Sequence, residues 1–147
     1  MDTIDIPEAR SLEKVRAVVE AVQDGVTDKD EVASRTELSD RHVDYHRHAA
    51  RVLGLLEGSG ESWRVTLLGS DLLRTPPRSP EEIELLERAI RGSKLLEAVP
   101  TLLHPASPTL ESLTAELELA GLSTSTARKR ASALLAWRMY LRETAEK

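Results

Sequence analysis

The stretch Ser39–Leu56, SDRHVDYHRHAARVLGLL, constrains the rest of this chain more than any other. Ser39 is a helix-start residue whose hydroxyl can accept from the open backbone N–H groups of a first turn. Val43, Ala50 and Leu53 recur at helical spacing in a body of about four turns, and Gly54 supplies an abrupt stop. Leu55 and Leu56 then open a strand. The outward face carries Asp40, Arg41, Asp44, Tyr45 and His48 instead of the usual Glu/Lys mixture. A helix dressed with arginines, histidines and a tyrosine suits the major groove of B-DNA.

The flanking sequence gives this helix a context. Residues 1–10 have no period and are expected to form a mobile arm or short strand. Ser11 caps a first helix with Leu12, Val15, Val18, Val19 and Val22 inward, stopped at Gly25. Thr27 with Asp30 is a variant capping box opening a short helix over residues 28–35. Thr36-Glu37-Leu38 is then a tight turn, and two helices across such a turn form a helix-turn-helix. Beyond Gly54, Leu55–Glu57 and Trp63–Thr66 read as a β-ribbon around the turn Gly58–Glu61.

Thr75-Pro76-Pro77-Arg78-Ser79-Pro80 is the clearest break. After it Ser79 caps a helix with Ile83, Leu86, Ala89 and Ile90 on one face, and its early glutamates suit the positive helix end. A second segment runs from Ser93 to Leu103, with Pro100 kinking or ending it. Residues 104–108 are a loop, Thr109–Ala120 a third helix, and Ser123 caps a fourth reaching about Arg142. A shift of 84 residues lays this half over the first: Leu38-Ser39 falls on Leu122-Ser123, Val43 on Ala127, Ala50 on Leu134 and Leu53 on Trp137. Amphipathic helices with serine caps can align this way without any true repeat.

The 147 residues suffice for one domain or two small ones sharing a core. Phenylalanine is absent, so the core must be Leu, Val and Ala, which favours packed helices over a β-sandwich. With no cysteine there are no disulfides, thiol chemistry or thiolate metal sites. No apolar run is long enough to span a bilayer, and the acidic start is unlike a signal peptide, so a cytoplasmic protein without membrane partners is expected. The net charge of −5 argues against nucleic acid, but it is unevenly spread. Residues 1–31 hold nine acids against four bases, whereas residues 123–142 hold five bases and no acid. Local potential at the contact face governs DNA binding.

Val43-x-x-His46-x-x-x-Ala50-x-x-x-Gly54-Leu55-Leu56 followed by Trp63-Arg64-Val65-Thr66-x-x-Gly69 resembles the winged helix-turn-helix superfamily, particularly ArsR- and MarR-like regulators, over residues 11–75. Ala50 and Arg47 stand where that family usually has larger aliphatics. Leu122-Ser123-x-x-Thr126-Ala127-x-x-Arg130 with Trp137 is similar to helical modules of restriction-system and related DNA-processing proteins. The expected fold is mainly α: a winged helix-turn-helix with a small β-ribbon wing over 1–75, then a helical module over 76–147 that could be a second helix-turn-helix.

The resemblance implies a sequence-specific double-stranded DNA-binding protein, a transcriptional regulator or a DNA-recognition component. Arg41, His42, Tyr45 and His48 are candidates for bases or phosphates, Arg47 and Arg51 for phosphates, and Ser39 for a phosphate at the helix start. Arg64 of the wing could reach a phosphate or the minor groove. Ser123, Arg128, Lys129 and Arg130 form a second set, whose alternative is a solvated face balanced by Glu111, Glu116 and Glu118. Asp40 and Asp44 repel phosphate but can accept from a cytosine amino group.

His42 and His46 have metal-pair spacing, but lacking cysteine they are not expected to hold one. Neither a cofactor nor an enzymatic activity is expected: no phosphate loop, nucleophile elbow or HExxH motif is present, and Asp28, Asp30 and Glu31 sit where helix-start acids belong. The competing reading is a protein-interaction or homodimerisation module of the same fold, docking through its acidic N-terminal third and the last helix with Leu134, Leu135, Met139 and Leu141.

Overall fold

A computed structural model describes residues 6–60 and 62–145. Among them the chain is mainly helical, with one small antiparallel sheet. The elements run α1 (Leu12–Gln23), α2 (Lys29–Thr36), α3 (Asp40–Val52), β1 (Leu56–Ser59), β2 (Ser62–Val65), α4 (Leu67–Arg74), α5 (Pro80–Gly92), α6 (Leu95–Ala98), α7 (Leu110–Leu119) and α8 (Thr124–Ala145). Among the described residues no helix is long and apolar enough to cross a membrane.

Local sequence sets most helix starts. The side chains of Ser11, Ser39, Thr66, Ser79 and Thr109 each accept a backbone N–H from the first turn of the helix they precede, a contribution of about 1 kcal/mol each. α2 departs from expectation. Its N-cap is Asp28, without a side-chain cap bond, while the carbonyl of Thr27 accepts from Arg47. The segment after Ser93 keeps only α6, because Val99, before Pro100, leaves the helix at φ −129°, ψ 70°. Of the arm or short strand expected over residues 1–10, residues 1–5 lie outside the described residues, and residues 6–10 are neither: Ile6 and Ala9 are fully buried.

The hairpin pairs Leu56 with Val65 and Ser59 with Ser62, so β2 lies one residue nearer the turn than the pattern suggested and β1 starts one residue later and ends two later. It is locked onto the end of α3 by Thr66. The Thr66 hydroxyl donates to Gly54 O and accepts from Gly69 N–H, and Thr66 N–H donates to Leu55 O. Gly69 must lack a side chain here, since a Cβ would lie 2.2 Å from the Leu55 carbonyl oxygen.

One cluster of buried side chains includes Leu12, Val18, Val43, Leu53 and Leu72 from the first half and Ile83, Leu86, Leu113, Leu134 and Trp137 from the second. Polar ties cross between the halves. Trp137 Nε1 donates to Ala9 O at 2.8 Å. Arg16 on α1 pairs with Glu82 on α5 at 2.6 Å, and Tyr140 on α8 donates to the same carboxylate. Leu134 and Leu141 are buried within the chain, so of the apolar set expected to dock on a partner only Met139 stands mainly exposed.

Candidate nucleic-acid interface

α3 divides its polar residues between two edges. On one, Arg41, His42 and Tyr45 cluster: the Arg41 guanidinium lies 5.8 Å from the Tyr45 ring centroid, and the His42 ring meets it edge-on at 5.6 Å. On the other, toward α2 and the hairpin, lie Asp44, Arg47, His48 and Arg51. Asp44 pairs with Lys29 of α2 at 2.9 Å, so the repulsion it would exert on a phosphate is partly offset. Ser39 is occupied in capping, its hydroxyl accepting from His42 N–H at 3.4 Å.

Arg47 does not stand where a phosphate could reach it. It is 2% exposed, donates to Thr27 O at 2.6 Å and Gly60 O at 3.4 Å, and lies 5.5 Å from the Trp63 ring centroid. It lies one turn after Val43, on the inner side of the helix, and ties α2, α3 and the hairpin together. Arg51 is exposed and donates to Gly58 O at 3.2 Å, beside the same ring. His48 is half-buried near Arg51. Arg64 projects from β2, its side chain 78% exposed, paired with Glu57 at 3.2 Å.

His46 faces inward, 3% exposed. Its Nδ1 lies 2.7 Å from the His42 carbonyl oxygen, which can only accept, so Nδ1 carries the proton. Burial pushes the imidazole below its ordinary value of 6.5; the carbonyl bond opposes this, and the charges of His42 and Lys14 add to it. The His42 and His46 rings lie 6.4 Å apart, centroid to centroid, and no group of three or more potential metal ligands occurs among the described residues.

The α8 set also divides. Arg128 and Lys129 are exposed, whereas Arg130 is half-buried and pairs with Glu8 at 3.2 Å. Of the carboxylates expected to balance this helix, Glu116 accepts from Thr101, whereas Glu118 accepts from Thr124 at the start of α8 itself. Ser123 caps α8, accepting from Thr126 N–H at 3.4 Å. Farther along, Arg138 and Arg142 donate to Leu102 O and Ser107 Oγ, fixing the loop before α7.

The two sets meet. A cleft of about 390 Å³ is lined by Arg41, His42 and Tyr45 of α3, Lys129 of α8, and Glu8 and Arg10 of the N-terminal segment. Arg10 was not foreseen from sequence, because its segment carries no periodic signal. Its Nη2 donates to Ser132 Oγ on α8 at 2.6 Å, holding it beside the cleft. No family model, curated protein or solved structure matches this chain.

Proposed function

We propose that the chain is a sequence-specific double-stranded DNA-binding protein of winged helix-turn-helix type, with α3 as recognition helix and the β1–β2 hairpin as wing. One observation carries this reading: on α3, Arg41, His42 and Tyr45 share one edge, while the competing carboxylate of Asp44 is drawn onto Lys29. A capped helix with such an edge can present side chains to base edges in a major groove, and a hairpin at its end can reach the adjacent backbone. Arg41 and Tyr45 are assigned to bases or nearby phosphates, Arg51 and Arg64 to the flanking backbone, and Arg128 and Lys129 to general attraction. A regulator of transcription and the recognition part of a DNA-processing system both fit this role.

The test is selection from random duplexes followed by affinity measurement across a salt series. An enriched motif bound more weakly as salt rises is expected, with Arg41→Ala weakening it further. Absence of binding to any duplex at low salt, together with co-purification of one defined protein partner, would replace DNA by protein as the ligand.

A further inference from the structure

Several bonds of the turn before α3 recur before α8. Glu37 and Gly121 both take positive φ, 63° and 107°. Leu38 N–H donates to Ala33 O at 3.2 Å, and Leu122 N–H to Leu117 O at 3.1 Å. Ser39 and Ser123 each accept from the N–H three residues on, at 3.4 Å in both cases. The first helical bonds, Val43 N–H to Ser39 O and Ala127 N–H to Ser123 O, are 2.9 and 2.8 Å. The inward residues also correspond: Val43 and Ala127, Ala50 and Leu134, and Leu53 and Trp137 are all buried. Every pair is separated by the same 84 positions that align the two halves in sequence. The amphipathic pattern alone does not require a matching positive-φ residue and a matching backbone bond.

This equivalence makes Lys129 the counterpart of Tyr45, and Ser132 the counterpart of His48. Tyr45 and Lys129 both line the 390 Å³ cleft, and Ser132 holds Arg10 beside it. The cleft is therefore where the outward faces of two equivalent helices converge. Its lining brings together Arg10, Arg41 and Lys129 with one carboxylate, Glu8, which is engaged by Arg130. Three cations from three separate segments around an open cleft suit an oxyanion with several acceptor oxygens.

We propose that this cleft is a phosphate seat, in which Arg10, Arg41 and Lys129 hold one phosphodiester group of a DNA strand between α3 and α8. The inference rests on the DNA reading above. The shared chemistry is a phosphate group, and its other source is a free phosphate compound such as a nucleotide. Arg10 and Lys129 fix the backbone, leaving His42 and Tyr45 to sense what lies beside it.

The experiment compares the intact protein with a double variant, Arg10→Ala with Lys129→Ala, and with a control, Arg88→Ala, an exposed cation outside the cleft. Binding to a random-sequence duplex is measured across a salt series, and binding of inorganic pyrophosphate and of ATP is followed by amide chemical shifts. Both changed side chains are exposed, so an unchanged melting temperature verifies the fold. The expected result is a loss of at least about tenfold in duplex affinity, with the log–log salt slope reduced by about 0.9 for each phosphate contact removed. The control should keep both, and pyrophosphate should perturb Arg10 and Lys129 only in the intact protein. If the duplex binds but the variant keeps affinity and slope, the seat is wrong and the DNA reading stands. If no duplex binds while pyrophosphate or ATP perturbs these residues, the DNA source is overturned and the free phosphate is the occupant. If none binds, both proposals fall.

Discussion

Arg47 and His46 are neighbours on α3 that carry polar groups into the interior, and each has a consequence that can be measured. Arg47 donates to two carbonyls from separate segments and covers the Trp63 ring. Truncation to alanine removes those bonds and leaves a void, an expected cost of about 2–4 kcal/mol. Arg47→Met keeps much of the volume and should cost less in urea unfolding. Neither change should reduce the salt slope of DNA binding; a drop of about 0.9 for Arg47→Met would return this residue to the phosphate contacts. Its position could have been anticipated, since Arg47 occupies a place where the resembled family has an aliphatic residue. The charge of an arginine points to a phosphate contact, but its place on the helix decides its burial.

The pH response of His46 follows from its burial. The unfolded chain takes up a proton near 6.5, whereas the folded imidazole resists it. The unfolded state therefore binds more protons in that window, and stability should fall as the pH drops below about 6.5 until the folded group itself titrates. Substitution by leucine removes both the titration and the buried Nε2, which has no hydrogen-bond partner among the described residues. Denaturation midpoints of His46→Leu between about pH 7 and pH 5 should consequently vary less than those of the intact protein. An identical pH profile for the two would exclude His46 as the source.

At the scale of elements, helix bodies and the hairpin were legible, whereas ends and irregular segments were not. α1, α3, α5 and α8 follow from apolar spacing and a serine cap, signals contained within a few residues. The start of α2 involves Arg47, which bonds Thr27 O from twenty positions along the chain, and no local rule includes that. Residues 6–10 are fixed by Trp137, whose indole bonds Ala9 O from the far end of the sequence. The cleft was partly legible: Arg41, His42, Tyr45 and Lys129 stand out in the sequence, but only the tertiary fold brings the α3 and α8 residues to one cleft. The Thr66-x-x-Gly69 turn illustrates an element whose sequence and contact agree. Gly69→Ala would drive a Cβ into the Leu55 carbonyl, so either α4 or the hairpin must shift. A loss of about 1–3 kcal/mol is expected, whereas Gly92→Ala, at a helix end with open space around it, should be tolerated. Equal melting temperatures for these two variants would contradict the close approach.

For the whole molecule, the question is whether the break at Thr75–Pro80 separates two folding units. The carboxylate of Glu82, 1% exposed, accepts from Arg16, from Arg78 N–H and from Tyr140, and so joins α1, α5 and α8. Arg16 also donates to Thr75 O at 2.7 Å, anchoring the break itself. Removing Arg16 alone would leave a buried charge undercompensated, at a cost of about 3–5 kcal/mol, whereas Arg16→Met with Glu82→Leu should recover much of it. Because this network and the shared apolar cluster span both halves, unfolding should be one cooperative transition. The two tryptophans make that testable, since Trp63 lies on the hairpin and Trp137 in α8. In a Trp63→Phe variant the remaining fluorescence reports Trp137, while far-UV circular dichroism reports helices throughout. Their urea curves should coincide, and Arg16→Ala should move both midpoints together. A biphasic dichroism curve, with fluorescence following only one phase, would instead make residues on the two sides of the proline-rich break independent domains.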